Sequence, residues 1–97
     1  MEVKHEKKDK SGRFFIEKDG KQMAEMTYVI LNQNRIDINH TEVDETLKGK
    51  GIGYKLVNAA VIYLRDNNLK ASASCPYVQY VFSKKQNEYE DIIQKNN

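Results

Sequence analysis

The sequence is poor in residues that several classes of protein depend on. It holds one cysteine, one proline and no tryptophan among 97 residues. A single cysteine excludes an internal disulfide framework and a zinc site made of cysteines alone. The longest uninterrupted apolar run, Ala59 to Leu64, is far shorter than the roughly twenty residues that cross a membrane. The N-terminal segment also lacks the apolar core of a signal peptide, so we expect a cytoplasmic protein without a membrane partner.

The sequence also has no large excess of positive or negative charge. Sixteen basic and 14 acidic residues leave a net charge of +2, which is too balanced for a protein that coats nucleic acid. His5 and His40 do not stand at metal-ligand spacing with the acidic residues near them, so we expect no metal. We expect one small domain over residues 1–97, as a monomer or weak dimer.

The N-terminal half alternates between polar and apolar residues as half-buried strands do. The alternation predicts four strands, at about residues 3–6, 13–18, 22–31 and 35–43. Asp19-Gly20 is a strong hairpin signal because the tight turn needs positive φ. Asn32 to Asn34 make a second turn, since asparagine tolerates the left-handed conformation. These strands form an antiparallel meander.

The chain changes character after residue 43. Apolar residues then recur at helical spacing and predict one buried helix face: Ile52, Leu56, Val57, Ala60, Val61 and Leu64. A short strand is predicted over residues 69–74. A helix is predicted over residues 76–85, because proline loses no hydrogen bond at a first helical position. A last short helix is expected from residue 87 or 88, with Tyr89, Ile92 and Ile93 facing inward. The order is β-β-β-β-α-β-α, with a possible final helix, which is an α+β unit.

The stretch Lys48-Gly49-Lys50-Gly51-Ile52-Gly53, between a predicted strand and a predicted helix, has the chemistry of an anion site. Glycines let the main chain approach a ligand closely. The first amides of a helix have no partner inside it and lie at the positive end of its dipole. Lys48, Lys50 and Lys55 add positive charge nearby. A pyrophosphate held there would accept several charge-assisted hydrogen bonds.

This stretch could belong to any of three kinds of phosphate-binding loop, or it could be a turn that binds no ligand. A P-loop needs four residues between its first glycine and a Gly-Lys-Ser/Thr sequence, and that spacing is absent. A Rossmann turn needs a third glycine where the chain has Tyr54, and more βαβ units than this chain can supply. The spacing Lys48-x-x-Gly51-x-Gly53 instead resembles the Arg/Gln-x-x-Gly-x-Gly/Ala turn of the GNAT acetyltransferase superfamily.

The resemblance covers roughly residues 20–85 and implies a fold, a co-substrate and a site. The fold is a truncated GNAT-like acyl-CoA N-acyltransferase, a meander followed by helix, strand and helix. The turn, with Gly49, Lys50 and Ile52 inside it, would cradle the pyrophosphate of acetyl-CoA. The strand before it would splay from its neighbour, and Thr41 and Val43 would offer main-chain groups to the pantetheine arm. The acceptor would be an unidentified amine, on a small molecule or a protein.

The candidate catalytic residues are Cys75, Asp37, His40 and Tyr80. Cys75 precedes Pro76, where unpaired helix amides begin, and would accept the acetyl group or shape its pocket, unless it is an inert buried thiol. By the resemblance, Asp37 stands about where some members place a basic glutamate. His40 is a second candidate base, since histidine titrates near neutral pH. Tyr80 or Tyr77, on the helix after Cys75, would protonate the leaving sulfur unless both are core residues.

Two other functions fit part of the sequence. A non-catalytic acyl-CoA-binding or regulatory module would keep the glycine turn without a substrate half, since the paired helices that usually follow the first strand in the superfamily are missing. A nucleic-acid-binding α+β domain would lack a basic stripe and an aromatic platform. The lead interpretation is an N-acetyltransferase that moves acetyl from acetyl-CoA to an amine.

Overall fold

Five strands and two longer helices build the structure, a computed structural model that describes residues 1–94. The elements are β1 (Lys4–Lys7), β2 (Ser11–Lys18), β3 (Lys21–Asn32), β4 (Arg35–Val43), α1 (Ile52–Asp66), β5 (Lys70–Ala73), α2 (Pro76–Lys84) and α3 (Gln86–Tyr89). A single 3₁₀ turn, Glu45–Leu47, lies between β4 and α1. The order of elements is the predicted one, and the predicted bounds are correct to within two residues for strands and helices alike, α3 excepted.

The five strands form one mixed sheet in chain order. β1 to β4 pair antiparallel, so the predicted meander is confirmed. β5 pairs parallel with β4, and α1 makes the crossover that a parallel connection needs. The glycine turn therefore lies where the sheet changes from antiparallel to parallel pairing.

The two hairpin turns are built differently. Asp19 and Gly20 both have positive φ, of 53° and 79°, as the Asp-Gly pair predicts. In the second turn, neither Asn32 nor Asn34 has positive φ, so the predicted left-handed asparagine was wrong. The Asn32 side chain instead accepts a hydrogen bond from the Asn34 amide at 2.8 Å, and this contact completes the turn without a left-handed residue.

α1 packs one face against the sheet. The six residues predicted to face inward are all buried. They cover the inner face of the sheet, where Ile16, Met26 and Ile38 are at most 1% exposed. Each such side chain contributes on the order of 1.5–3 kcal/mol on burial. This packing along the whole helix fixes the position of its first turn. Within residues 1–94, no helix combines the length and the apolar character that crossing a bilayer requires.

The chain after α2 closes the outer edge of β5. α3 is a single turn that ends before Ile92, which the sequence predicted on this helix. The Ala71 amide donates to the Ile92 carbonyl at 2.7 Å, and the Gln94 amide donates to the Ala71 carbonyl at 2.8 Å. Ile92 is buried as predicted but lies in the turn after α3 rather than in the helix, because the bridge between Ala71 and Ile93 satisfies main-chain groups of β5 that a longer helix would leave open.

His5 of β1 lies against aromatic side chains of the inner sheet face. Its ring stacks on Phe14 with centroids 4.2 Å apart, and its Nε2 is 2.7 Å from the Tyr28 hydroxyl oxygen. Burial, with the charge of Lys7 second, lowers the pKa of His5 from its ordinary 6.5. The fold thus favours neutral His5. This contribution to stability is present above pH 6.5 and is lost as the pH falls through the lowered pKa.

We expect the free energy of unfolding to fall below pH 6.5 more steeply in the native protein than in His5→Gln. The reason is that glutamine keeps a polar partner for Tyr28 but takes up no proton. Urea unfolding at about pH 7.5 and about pH 5.5 measures both changes. The same pH dependence in the two proteins would show that another group titrates.

Candidate functional site

β5 leaves β4 halfway along its length. The strands pair over the first four residues of β4, after which the amides of Ser74 and Cys75 both donate to the Ile38 carbonyl, at 3.0 and 3.1 Å. Pro76 opens α2 immediately afterwards, and the chain turns away. β4 continues to Val43 beside β3 alone. The last residues of β4 therefore have an open edge.

A β-bulge decides which residues face this open edge. Ile38 turns its carbonyl toward β5, whereas the Asp44 amide donates to a β3 carbonyl at 2.7 Å. In a regular strand, the main-chain groups of residues separated by an even number of positions face the same neighbouring strand. Those of Ile38 and Asp44 would then face the same side, and they do not. Asn39 has no residue opposite it in the register with β3, and this extra residue resets the alternation. Thr41 and Val43 consequently turn their main-chain N–H and C=O groups to the open edge.

The glycine turn carries the chain from the open edge into α1. Gly49 and Gly51 have φ of 80° and 74°, the left-handed conformation that favours glycine. Gly51 caps α1, and the helix's first hydrogen bond runs from the Lys55 amide to the Gly51 carbonyl at 3.2 Å. The amides of residues 52–54 precede that bond and have no acceptor within the helix. They lie at the positive end of the helix dipole.

A cavity of about 500 Å³ joins the open edge to the start of α1. Of the residues that the resemblance assigned to the cofactor, the cavity brings together Thr41, Val43, Lys48, Gly49, Gly51, Ile52 and Gly53. Lys50 is exposed and does not line it. Leu47, Tyr54 and Tyr77 also line the cavity, and the sequence did not assign them to the cofactor. Leu47 could have been singled out from the sequence, since it is the single apolar residue between Val43 and Ile52.

Tyr77 of α2 forms one wall of this cavity. A Cβ atom on Gly53 would lie 2.4 Å from the Tyr77 hydroxyl oxygen, so close contact rather than backbone conformation requires glycine here. Burial, followed by the nearby hydroxyls of Tyr54 and Tyr80, raises the pKa of Tyr77. The Tyr77 hydroxyl therefore stays protonated at neutral pH and is a hydrogen-bond donor at the cavity wall.

Charged groups surround the cavity unevenly. Lys48 lines it and pairs with Glu45 at 3.0 Å, in an exposed ion pair of the kind that contributes little to stability. Lys85 places its Nζ 5.0 Å from the ring centroid of Tyr54, which also lines the cavity. The ammonium groups of these two lysines therefore lie near the cavity, each already paired with a glutamate. Among residues 1–94, no three side chains of His, Cys, Asp or Glu are grouped to hold a metal ion.

Cys75 lies beside the cavity at the point where β5 leaves β4. Cys75 is 4% exposed, and its Sγ is 3.5 Å from the hydroxyl oxygen of Thr41, which lines the cavity. Cys75 also caps α2, directly before Pro76. The fold thus brings the sole thiol next to the open edge of β4, although the two are more than thirty residues apart in the chain.

Asp37 and His40 do not line the cavity. The Asp37 carboxylate accepts hydrogen bonds from the hydroxyls of Ser72 and Ser74, at 2.8 and 2.6 Å, and so links β4 to β5. The His40 side chain is 61% exposed, and its Nε2 is 3.8 Å from Glu42 Oε2. The fold does not bring these two residues to the cavity together with Cys75, and their assignment as bases stays a prediction.

Tyr80 is also outside the cavity. It is 56% exposed, and its hydroxyl accepts a hydrogen bond from Lys84 Nζ at 3.2 Å. Tyr77, three residues earlier on α2, is the tyrosine of this helix that lines the cavity. Helical spacing could not distinguish the two, because the rotation of α2 about its axis depends on its packing against the sheet.

The forked mixed sheet and the glycine turn that opens α1 define the fold of the GNAT acyltransferases. A GCN5-like protein from Staphylococcus aureus has this fold, with a TM-score of 0.75 and 34% identity over 99% of this chain and 90% of that chain. A GNAT family acetyltransferase from Elizabethkingia anophelis, solved with acetyl-CoA bound, covers 79% of this chain and 53% of its own. Its TM-score is 0.63 at 12% identity, which shows the fold alone.

This chain belongs to the GCN5-related N-acetyltransferase family. The family model matches residues 13–92, a longer span than the resemblance found in the sequence. Protein NATD1 from Xenopus tropicalis is 30% identical over 80 residues, which cover 81% of this chain and 72% of that protein. The fold and the family expected from the glycine turn are therefore confirmed.

Proposed function

We propose that this protein binds acetyl-CoA in the cavity beside α1 and transfers the acetyl group to an amine. One observation carries the proposal: the open edge of β4 and the start of α1, with its unpaired amides, border the same cavity. Membership of an acetyltransferase family supports the reaction, and the acetyl-CoA held by the Elizabethkingia anophelis acetyltransferase supports the ligand. The acceptor amine, on a small molecule or a protein, is unidentified.

The pantetheine arm would lie along β4 as an added strand. The arm carries amide groups, and Thr41 and Val43 turn main-chain donors and acceptors to the open edge. Main-chain pairing of this kind gives affinity with little demand on side-chain identity. The pyrophosphate would lie against residues 49–54, where the glycines and the first amides of α1 can approach its oxygens.

Transfer moves an acetyl group from sulfur to nitrogen. The amine nitrogen attacks the thioester carbonyl carbon, a C–N bond forms, the C–S bond breaks and CoA leaves as a thiolate. We infer that Tyr77 rather than the exposed Tyr80 protonates that thiolate, since its hydroxyl lies at the cavity wall and carries its proton at neutral pH. The proton of the amine would pass to water or to a carboxylate or histidine of β4, for which Asp37 and His40 remain the candidates.

Cys75 is assigned one of two roles: it accepts the acetyl group before the amine does, or it shapes the pocket. In the first role its thiolate attacks the thioester, S-acetyl-Cys75 forms and CoA leaves; the amine then attacks the new thioester and releases the Cys75 thiolate. In the second role the amine attacks acetyl-CoA directly. Both roles place the end of the arm against the thiol, which contacts the cavity-lining Thr41.

We expect acetyl-CoA to protect Cys75 from alkylation. Acetyl-CoA at ten times its Kd should slow the reaction with iodoacetamide about tenfold, because only the free protein reacts. Cys75 is the sole thiol, so the mass of the intact protein reports it alone. Equal rates with and without ligand would contradict both roles. A mass gain of one acetyl group without any amine would assign the covalent role, and its absence the pocket-shaping one.

An NMR titration with acetyl-CoA tests the binding step. We expect the amide shifts to concentrate at residues 41–43 and 49–54, while those of the hairpin at residues 19–20 stay in place. Unchanged amides at the glycine turn at millimolar acetyl-CoA would contradict the proposal, and shifts produced instead by an oligonucleotide would favour a nucleic-acid-binding domain.

The release of CoA thiol in the presence of an amine panel tests the transfer step. An amine-dependent release supports the acetyltransferase. Binding of acetyl-CoA without release by any amine of the panel would favour the non-catalytic acyl-CoA-binding module, which keeps the same cavity and the same open edge.

A further inference from the structure

α2 carries a stripe of tyrosine and lysine that leads away from the cavity. Tyr77, Tyr80 and Lys84 stand at positions i, i+3 and i+7 of α2 and so share one side of the helix. Tyr77 lines the cavity, whereas Tyr80 is 56% exposed. The stripe therefore runs from the cavity wall to the solvent at the far end of α2.

Lys84 ends this stripe without an acidic partner. Its Nζ donates to the Tyr80 hydroxyl at 3.2 Å and lies 5.6 Å from the centroid of the same ring. In the described part of the chain, no carboxylate forms an ion pair with Lys84, whereas Lys48 on the cavity wall is paired with Glu45. The hydrogen bond to Tyr80, followed by the effect of Tyr54, raises the pKa of Lys84. Lys84 is thus a full positive charge with tyrosines as its neighbours.

Tyr54 connects this charge to the cavity. It is the third residue of α1 and lines the cavity beside the glycine turn. The Nζ of Lys85 lies 5.0 Å from its ring centroid, so the C-terminal end of α2, where Lys84 stands, lies beside Tyr54. Lys85 is already paired with Glu88 at 3.7 Å. Lys84 is therefore the stronger attraction for an anion on this side of the cavity.

Building on the proposed function, we propose that Lys84, positioned by Tyr80, binds the 3′-phosphate of coenzyme A and makes the site selective for CoA over 3′-dephospho-CoA. This phosphate is attached to the ribose that carries the pyrophosphate, so it lies close to the group that residues 49–54 would hold. Like other phosphate monoesters, it carries about −1.5 to −2 charges at pH 7. Lysine binds such groups as a point charge.

Calorimetric titration of the full chain with CoA and with 3′-dephospho-CoA tests this assignment. We expect the native protein to bind CoA about tenfold more tightly, as one charge-assisted contact allows. Lys84→Gln should bind the two ligands within about twofold of each other, at an unchanged affinity for 3′-dephospho-CoA. Lys70→Gln on β5 is the matched control, an exposed lysine outside the cavity lining that should keep the preference.

The outcomes separate this inference from the proposed function. If neither ligand binds the native protein, the proposed function itself fails. If both ligands bind equally tightly, the acetyl-CoA site stands and its selectivity for the 3′-phosphate is overturned. A preference that survives in Lys84→Gln, or one that disappears in Lys70→Gln, also overturns the assignment to Lys84. The affinity for 3′-dephospho-CoA serves as the internal control for folding in every variant.

Discussion

Gly51→Asp is expected to abolish measurable binding of acetyl-CoA. Gly51 lines the cavity at the cap of α1, and no atom beyond its chain neighbours lies within 4 Å of the position of an added Cβ. The new carboxylate can therefore extend into the space proposed for the pyrophosphate. Two like charges about 4 Å apart repel by about 1 kcal/mol in water and about 4 kcal/mol near a protein surface. We expect the Kd to rise at least about 100-fold in calorimetric titration, because the pyrophosphate carries more than one charge.

Gly20→Asp is the matched control for this substitution. Gly20 has φ of 79°, close to the 74° of Gly51, and open space around its Cβ position, but it lies in the turn between β2 and β3 and does not line the cavity. Both substitutions add the same charge and the same left-handed strain, about 1–2 kcal/mol. We expect a similar loss of thermal stability in both variants and native affinity in Gly20→Asp. Native affinity in Gly51→Asp would contradict the pyrophosphate site.

The features of the fold that could be predicted from the sequence are those that depend on local pattern. The helical spacing from Ile52 to Leu64 predicted the buried face of α1 because that face repeats every turn of the helix. Asp19-Gly20 predicted its hairpin because few residue pairs accept positive φ. The glycine turn belongs to the same class, since unpaired amides at the start of a helix follow from helix geometry alone.

The parts of the site that depend on pairing between distant elements could not be predicted in this way. Nothing in the sequence around Asn39 marks it as an extra residue of β4, yet this bulge turns the main-chain groups of Thr41 and Val43 to the open edge. The family resemblance assigned those two residues to the pantetheine arm, and the bulge is the physical reason that their main-chain groups face the open edge beside the cavity.

Side-chain direction was the other feature that residue type alone did not reveal. Asp37 has the chemistry of a general base, but the parallel pairing of β4 with β5 places two serine hydroxyls against its carboxylate. Tyr77 and Tyr80 are equivalent by spacing, but Val78 and Val81 are fully buried in the core and so set the rotation of α2. That rotation brings Tyr77 to the cavity and leaves Tyr80 in solvent beside Lys84.

Gly53→Ala is expected to destabilise the protein, although alanine is the better helix former. Helix propensity favours alanine over glycine by about 1 kcal/mol in a helix interior. Here the added Cβ would lie 2.4 Å from the Tyr77 hydroxyl oxygen and 2.6 Å from Cζ of its ring. Relieving such an overlap typically costs about 1–3 kcal/mol, which outweighs the propensity. Urea unfolding should show a net loss, and acetyl-CoA should bind more weakly because Tyr77 has to leave the cavity wall.

A double-mutant cycle with Tyr77→Leu isolates this contact. Leucine lacks the ring atoms that the new Cβ meets, so Gly53→Ala should become neutral or stabilising in the Tyr77→Leu background, with a coupling above about 1 kcal/mol. Gly49→Ala is the contrasting glycine of the same turn. Its φ is 80° with open space around it, so it should lose stability through backbone strain that Tyr77→Leu does not relieve. If Gly53→Ala instead stabilises the native protein, Tyr77 does not stand against α1, and the protonation proposed for the leaving thiolate loses its donor.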